Sequence, residues 1–153
     1  MKAAALVMGV GGPLAAAGIG AWSARDAAEI YDRLDKPRWA PPAGAFGPVW
    51  SVLYAGLGVA GYRLVSRRAS RLTVALHSAQ LVLNAAWTPL FFSGRQRVAA
   101  LSVVTALDVT IAAEIAAAAR HDRTVAALLV PYLAWCLYAT ALNVAVSDPA
   151  AVE

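Results

Sequence analysis

The chain has 153 residues, of which 60% are hydrophobic and 14% charged, and its mean hydropathy is +0.60. A water-soluble domain of this length cannot hide so much apolar surface, so composition excludes one and points to an integral membrane protein. The net charge of +4 does not signal nucleic acid, because no basic residues interleave with aromatics on an amphipathic face and the arginines stand where apolar runs stop.

Five largely apolar runs follow one another: residues 3–23, 45–62, 72–94, 98–119 and 124–147. Each is near the roughly 20 residues needed to cross about 30 Å of hydrocarbon. This predicts an all-α, five-helix transmembrane bundle, a multi-pass protein with a single domain over residues 1–153. A cleavable signal peptide is the alternative for the first run, since Lys2, a short apolar stretch and Ala15, Ala16 and Ala17 resemble its three regions. The run continues past those alanines to Trp22, an interface-anchor residue, which favours a span. Within it Gly12, Ala16 and Gly20 form a ridge of small side chains, read as a dimer contact in preference to packing inside the monomer. The loop 24–44 is long and the later connections short, so consecutive helices are antiparallel neighbours. Seven basic residues fall on one side (Lys2, Arg63, Arg67, Arg68, Arg71, Arg120, Arg123) and six on the other (Arg25, Arg33, Lys36, Arg38, Arg95, Arg97). The tight group from Arg63 to Arg71 favours a cytoplasmic N terminus, with the long loop outside.

The long loop and the start of the second run carry Trp39, Phe46, Trp50 and Tyr54 on a backbone stiffened by Pro37, Pro41, Pro42 and Pro48. Rings held on such a backbone are suited to contact something. The second run descends from this loop, so Trp50 and Tyr54 lie near it. The third climbs back, bringing Asn84, Trp87 and Phe91 to the same level, and the fifth brings Trp135, Tyr138 and Asn143. Asn84, Trp87 and Phe91 follow an i, i+3, i+7 stripe, as do Tyr132, Trp135 and Ala139. The aromatics face one chamber, or else serve as interface belt and packing. The amides of Asn84 and Asn143 point inward, because lipid would leave them unsatisfied, and they bond backbone or each other.

Other polar groups are weighed separately. Six residues of helix separate Asp108 from Glu114, which puts them on different faces and excludes a paired-carboxylate site. Glu114 is expected to snorkel towards Arg120 or Arg123. Asp108 is either a neutral acid bonded inside the bundle or a proton carrier. His77 lies on the side opposite the chamber, with a structural or interfacial role. No metal is expected, because no His, Cys and carboxylate set has ligand spacing, and Ser, His and Asp are too scattered for a triad. Cys136, the single cysteine, has no disulfide partner in the chain.

The segments KPRWAPP with FGPVWSVLY, then LNAAWTPLFF, then PYLAWCLYATALN, in that order, resemble the TspO/translocator family of tryptophan-rich sensory proteins. The resemblance implies a five-helix membrane bundle that often dimerises and binds porphyrins such as protoporphyrin and haem, with sterols and drug-like compounds as ligands of some members. It also implies a homodimer in contact with membrane lipid, in a bacterial cell membrane, with no obligatory cofactor. Carried over by position, the ligand-binding residues are Trp39, Pro42, Phe46, Trp50, Tyr54, Asn84, Trp87, Phe91, Trp135, Tyr138 and Ala139. The chain departs from the family in its Ala-rich fourth helix without Trp and in the absence of any Lys or Arg after Arg123, where a cholesterol motif would end.

Three functions compete. The leading one is a porphyrin-binding membrane protein that senses, sequesters or moves tetrapyrroles, with propionates meeting Lys36, Arg38 or Asn84. The second is a porphyrin-degrading enzyme, which would rest on Trp50 and Trp135. The third is a proton-coupled exporter using Asp108; against it, the first run has no acid and no helix breaks near Asp108.

Overall fold

The computed structural model describes residues 6–23, 27–92 and 96–146, and these are overwhelmingly helical. A π-helical turn, Val7–Gly11, leads into α1 (Gly12–Ser23). Then come α2 (Ala27–Arg33), a 3-10 turn at Ala43–Ala45, α3 (Phe46–Ser66), α4 (Arg71–Phe92), α5 (Arg97–Ala119) and α6 (Arg123–Ala145). The long helices match four of the predicted runs within a few residues, and α3 continues past Tyr62 so that Arg63 is still helical.

Two elements depart from the sequence reading. The stretch 24–44 is not only loop: Ala27–Arg33 forms a short helix, bound by an Arg33–Glu29 ion pair one turn apart and by burial of Tyr31. The π turn arises beside Pro13, which has no N–H to offer the carbonyls of the preceding turn. One of those carbonyls, that of Gly9, lies so close to α3 that a Cβ on Gly58 would meet its oxygen at 2.4 Å.

The helices close into a ring in which α3 packs on α6, α6 on α5, α5 on α4, α4 on α1, and the π turn with α1 returns to α3. Inside lie Leu57, Leu64, Leu107, Ile111 and Leu129. Outward point aliphatics such as Val52 and Val59 on α3, Leu72 and Val82 on α4, Val109 on α5 and Leu137 on α6. Among the described residues, three helices are long and apolar enough to cross a membrane: Ala43–Ser66, Arg97–Ala119 and Arg123–Ala145. The third predicted run, now α4, falls below that hydropathy because Thr73, His77, Gln80 and Asn84 form a polar stripe along it, all of them buried in the bundle. Val7–Ile19 is apolar but shorter.

Gly12 and Ala16 of the α1 small-residue ridge face inward, which corrects their reading as a dimer contact; the surroundings of Gly20 lie outside what the structure describes. Ala16 is 3% exposed, and a Cβ on Gly12 would lie 3.1 Å from Leu81 of α4. Small side chains let α1 approach α4 closely within one chain.

Candidate functional site

The lid of the site is tied down before its rings are placed. Tyr31 of α2 is 2% exposed and donates its hydroxyl to the Pro41 carbonyl at 2.9 Å, so α2 and the Pro-rich stretch form one unit. Burial pushes the Tyr31 phenol above its ordinary value, which keeps it a neutral donor. Lys36 donates to the Tyr31 carbonyl at 2.5 Å and lies 4.6 Å from the centre of the Tyr31 ring. Its ammonium is therefore engaged in the lid, where the sequence reading had offered it to a ligand carboxylate.

Below the lid a chain of rings crosses from α2 to α6. Tyr31 meets Phe46 edge-on at 5.1 Å, Phe46 meets Trp135 at 5.9 Å, Trp135 lies 5.5 Å from Tyr138, and Tyr138 meets Trp39 at 5.6 Å. Tyr138 also donates to the Trp39 carbonyl at 2.8 Å, fastening the loop to α6. A second group lies deeper, where Trp50 is 5.4 Å from Tyr54 and 6.2 Å from Tyr132. Each such pair adds about 0.5–1.5 kcal/mol beyond area burial. The indole Nε1 of Trp135 is buried and has no hydrogen-bond partner among the described residues.

The floor is polar and satisfied. Tyr54 donates to Asn84 Oδ1 at 2.6 Å, and Asn84 Nδ2 donates to the Tyr132 hydroxyl at 3.1 Å, so one amide joins α3, α4 and α6. Asn84 lies deep and both its polar atoms are taken. It is therefore not offered to a ligand propionate, because two tyrosines on neighbouring helices reach it first. Asn143 accepts from Trp87 Nε1 at 3.5 Å and donates to the Arg97 carbonyl at 3.4 Å. Trp87 stacks on Phe91 at 5.4 Å, and these two pack with Ala139 as a layer against Phe46 and Trp50.

Ten of the eleven expected residues thus form one connected wall and floor. The other, Pro42, is exposed at the start of the 3-10 turn, where its carbonyl accepts from the Ala45 N–H at 2.9 Å. Tyr31 was missing from the expected set because its run, AAEIYDR, has the composition of a solvated connection. Tyr132 lay on the recognised α6 stripe.

The acids and the histidine are arranged differently from the sequence reading. Glu114 does not reach towards Arg120 or Arg123; it is 0% exposed, and its Oε1 lies 2.7 Å from Nδ1 of His77, also 0% exposed. Arg63, not Glu114, supplies the ion pair at this end, donating to both oxygens of Asp122 at 3.1 and 3.0 Å. Asp108 accepts from Thr140 Oγ1 at 2.7 Å inside the bundle, while its second oxygen has no partner among the described residues.

The TspO/MBR family profile matches residues 7–147. The chain belongs to the TspO/MBR family. It is 38% identical over 115 residues to the Tryptophan-rich sensory protein of Cereibacter sphaeroides, covering 75% of this chain and 73% of that one. It is 39% identical over 119 residues to the human Translocator protein, covering 74% and 70% respectively. The Tryptophan-rich protein TspO of Chlorobaculum tepidum is 33% identical over 123 residues, 78% of each chain. Family membership and the long apolar helices together make this TspO/MBR protein an integral membrane protein.

Proposed function

We propose that this protein is a five-helix, multi-pass receptor for flat tetrapyrroles, porphyrin or haem, acting in their sensing, sequestration or transport in a bacterial cell membrane. The observation that carries the reading is the Trp135 indole: a buried N–H without a partner among the described residues, held in a continuous aromatic wall. A macrocycle offers that wall an apolar face for stacking, and a carboxylate or carbonyl at its edge offers the N–H an acceptor. The outward aliphatics on α3, α4, α5 and α6 support a lipid-facing ring that includes α4 in spite of its polar stripe. With α1 and the π turn closing the ring, five segments cross. The protein works as a homodimer whose contact surface lies away from Gly12 and Ala16.

Haem is held here by stacking, not by imidazole. His77 is committed to Glu114, and His121 follows α5 at the end away from the lid. The test is a pair of substitutions at one position. Trp135→Phe keeps a ring and removes the N–H, and Trp135→Ala removes both; protoporphyrin affinity should fall about tenfold in the first and further in the second. Trp22→Ala, on a residue 67% exposed on α1, should bind as wild type. Equal affinity in all three proteins would remove the chamber from the account.

A further inference from the structure

Away from the chamber, three polar side chains are sealed inside the bundle: His77 and Gln80 on α4 and Glu114 on α5, each 0% exposed. His77 Nδ1 lies 2.7 Å from Glu114 Oε1 and 3.4 Å from Gln80 Nε2. Among the described residues, His77 Nε2, Gln80 Oε1 and Glu114 Oε2 have no hydrogen-bond partner. Each unsatisfied buried polar atom costs about 1–3 kcal/mol, and apolar side chains of similar volume would hold the helices at least as well. A cluster retained against that cost is a candidate for chemistry.

Its position supplies a route. A pocket of about 50 Å³, room for a few waters, opens at the basic end of the bundle, lined by residues that include Leu64, Thr73, Ala118, His121 and Asp122. Thr73 precedes His77 by four residues, Ala118 follows Glu114 by four, and Leu64 follows Gly61 by three. On α4 and α5, His77 and Glu114 therefore lie one turn, about 6 Å, below the pocket, as does Gly61 on α3 beside them, at about 5 Å. A Cβ on Gly61 would lie 2.8 Å from His77 Nε2 and 2.6 Å from the Met8 carbonyl oxygen. The imidazole edge is pressed against the α3 backbone, which leaves space for a proton and none for a hydrated cation.

We propose that the His77–Glu114 pair, supported by Gln80, is an interior proton-binding site beneath this pocket and distinct from the aromatic chamber. Unloaded, the ring keeps its Nε2–H, a second proton lies between Nδ1 and Oε1, and the pair is neutral overall. Loading takes one proton from pocket water onto Oε2, leaving imidazolium beside carboxylic acid, and unloading returns it; no other bond changes. Among the described residues the groups able to influence it are these. From α3 and its cap, Arg63 and Arg67 are engaged by Asp122; from α5, Asp108, six residues from Glu114, accepts from Thr140; His121, just past α5, lines the pocket; from α6 and its cap come the buried thiol of Cys136 and Asp122. The N-terminal segment brings Met8, which does not titrate.

The chain has three Glu residues, Glu29, Glu114 and Glu153. A Glu29→Gln/Glu153→Gln double variant labelled with carboxyl-13C glutamate makes Glu114 the sole labelled acid and leaves the cluster intact. Infrared difference spectra of the full chain in lipid nanodiscs, taken between about pH 8 and pH 5, should show a labelled carboxylic-acid band that grows reversibly on acidification. His77→Gln removes the partner of Glu114 and should alter this response. A labelled group that keeps one protonation state across this range overturns the proposal and makes the pair a fixed structural hydrogen bond, whether or not His77→Gln folds.

Discussion

Gly58 and Gly56 stand half a turn apart on α3 and should respond to alanine with opposite signs. At Gly58 a Cβ would lie 2.4 Å from the Gly9 carbonyl oxygen, whereas ordinary contact begins at 3.4 Å. The π turn must therefore retreat by about 1 Å, and since backbone meets backbone no rotamer change relieves the overlap. Overpacking of this kind costs about 1–3 kcal/mol. Replacing a helical glycine with alanine returns up to about 1 kcal/mol in helix propensity. The net expectation for Gly58→Ala is a loss of up to about 2 kcal/mol. At Gly56 the nearest atoms of Leu128 stand 4.0 Å away, so Gly56→Ala keeps the propensity gain and meets no clash. Equilibrium unfolding of the full chain in bicelles measures both. If Gly58→Ala is as stable as Gly56→Ala, the close packing of the π turn on α3 is wrong.

Asn84→Leu should lower stability by about 1–3 kcal/mol per hydroxyl left unpaired, because Tyr54 and Tyr132 both lose their partner; the same unfolding assay checks it. Ala16→Leu, placed against α4, should destabilise the monomer fold by about 1–3 kcal/mol, and crosslinking in bilayers should show no selective loss of dimer at temperatures where the variant stays folded. Asp122 governs acid behaviour: Arg63, first of all, and the Thr124 and Val125 N–H groups hold its carboxyl below the ordinary aspartate value, against a smaller opposing effect of burial. A depressed carboxylate stabilises the fold above the unfolded value and loses that contribution as pH falls through the lowered one. Wild type should therefore lose stability in the acid range below about pH 4, with a shallower decline in Asp122→Asn.

The apolar runs exposed the helices because lipid demands long uncharged segments, and depth counted along antiparallel helices was enough to bring Trp50, Asn84 and Trp135 to one site, though not to order them from lid to floor. The neighbours across the interior were not legible. Glu114 lay within reach of Arg120 along the sequence, and only the packing of α4 on α5 reveals that His77 is closer. The ridge of Gly12 and Ala16 told that a helix would approach closely without telling which one. Tyr31 was obscured by the charged residues around it, since a seven-residue helix leaves too short a period to separate its buried face from its wet one. The π turn follows from Pro13, but the glycines of α3 that receive it are placed by tertiary packing alone.

The central claim is that the aromatic chamber takes a tetrapyrrole, and titration of the full chain in lipid nanodiscs with protoporphyrin in the dark tests it most directly. The account predicts saturable binding of one porphyrin per chain, with quenching of tryptophan fluorescence that is largely lost in Trp135→Ala. Porphyrin uptake that rises without saturation, equals that of empty nanodiscs and leaves tryptophan emission unchanged would contradict it.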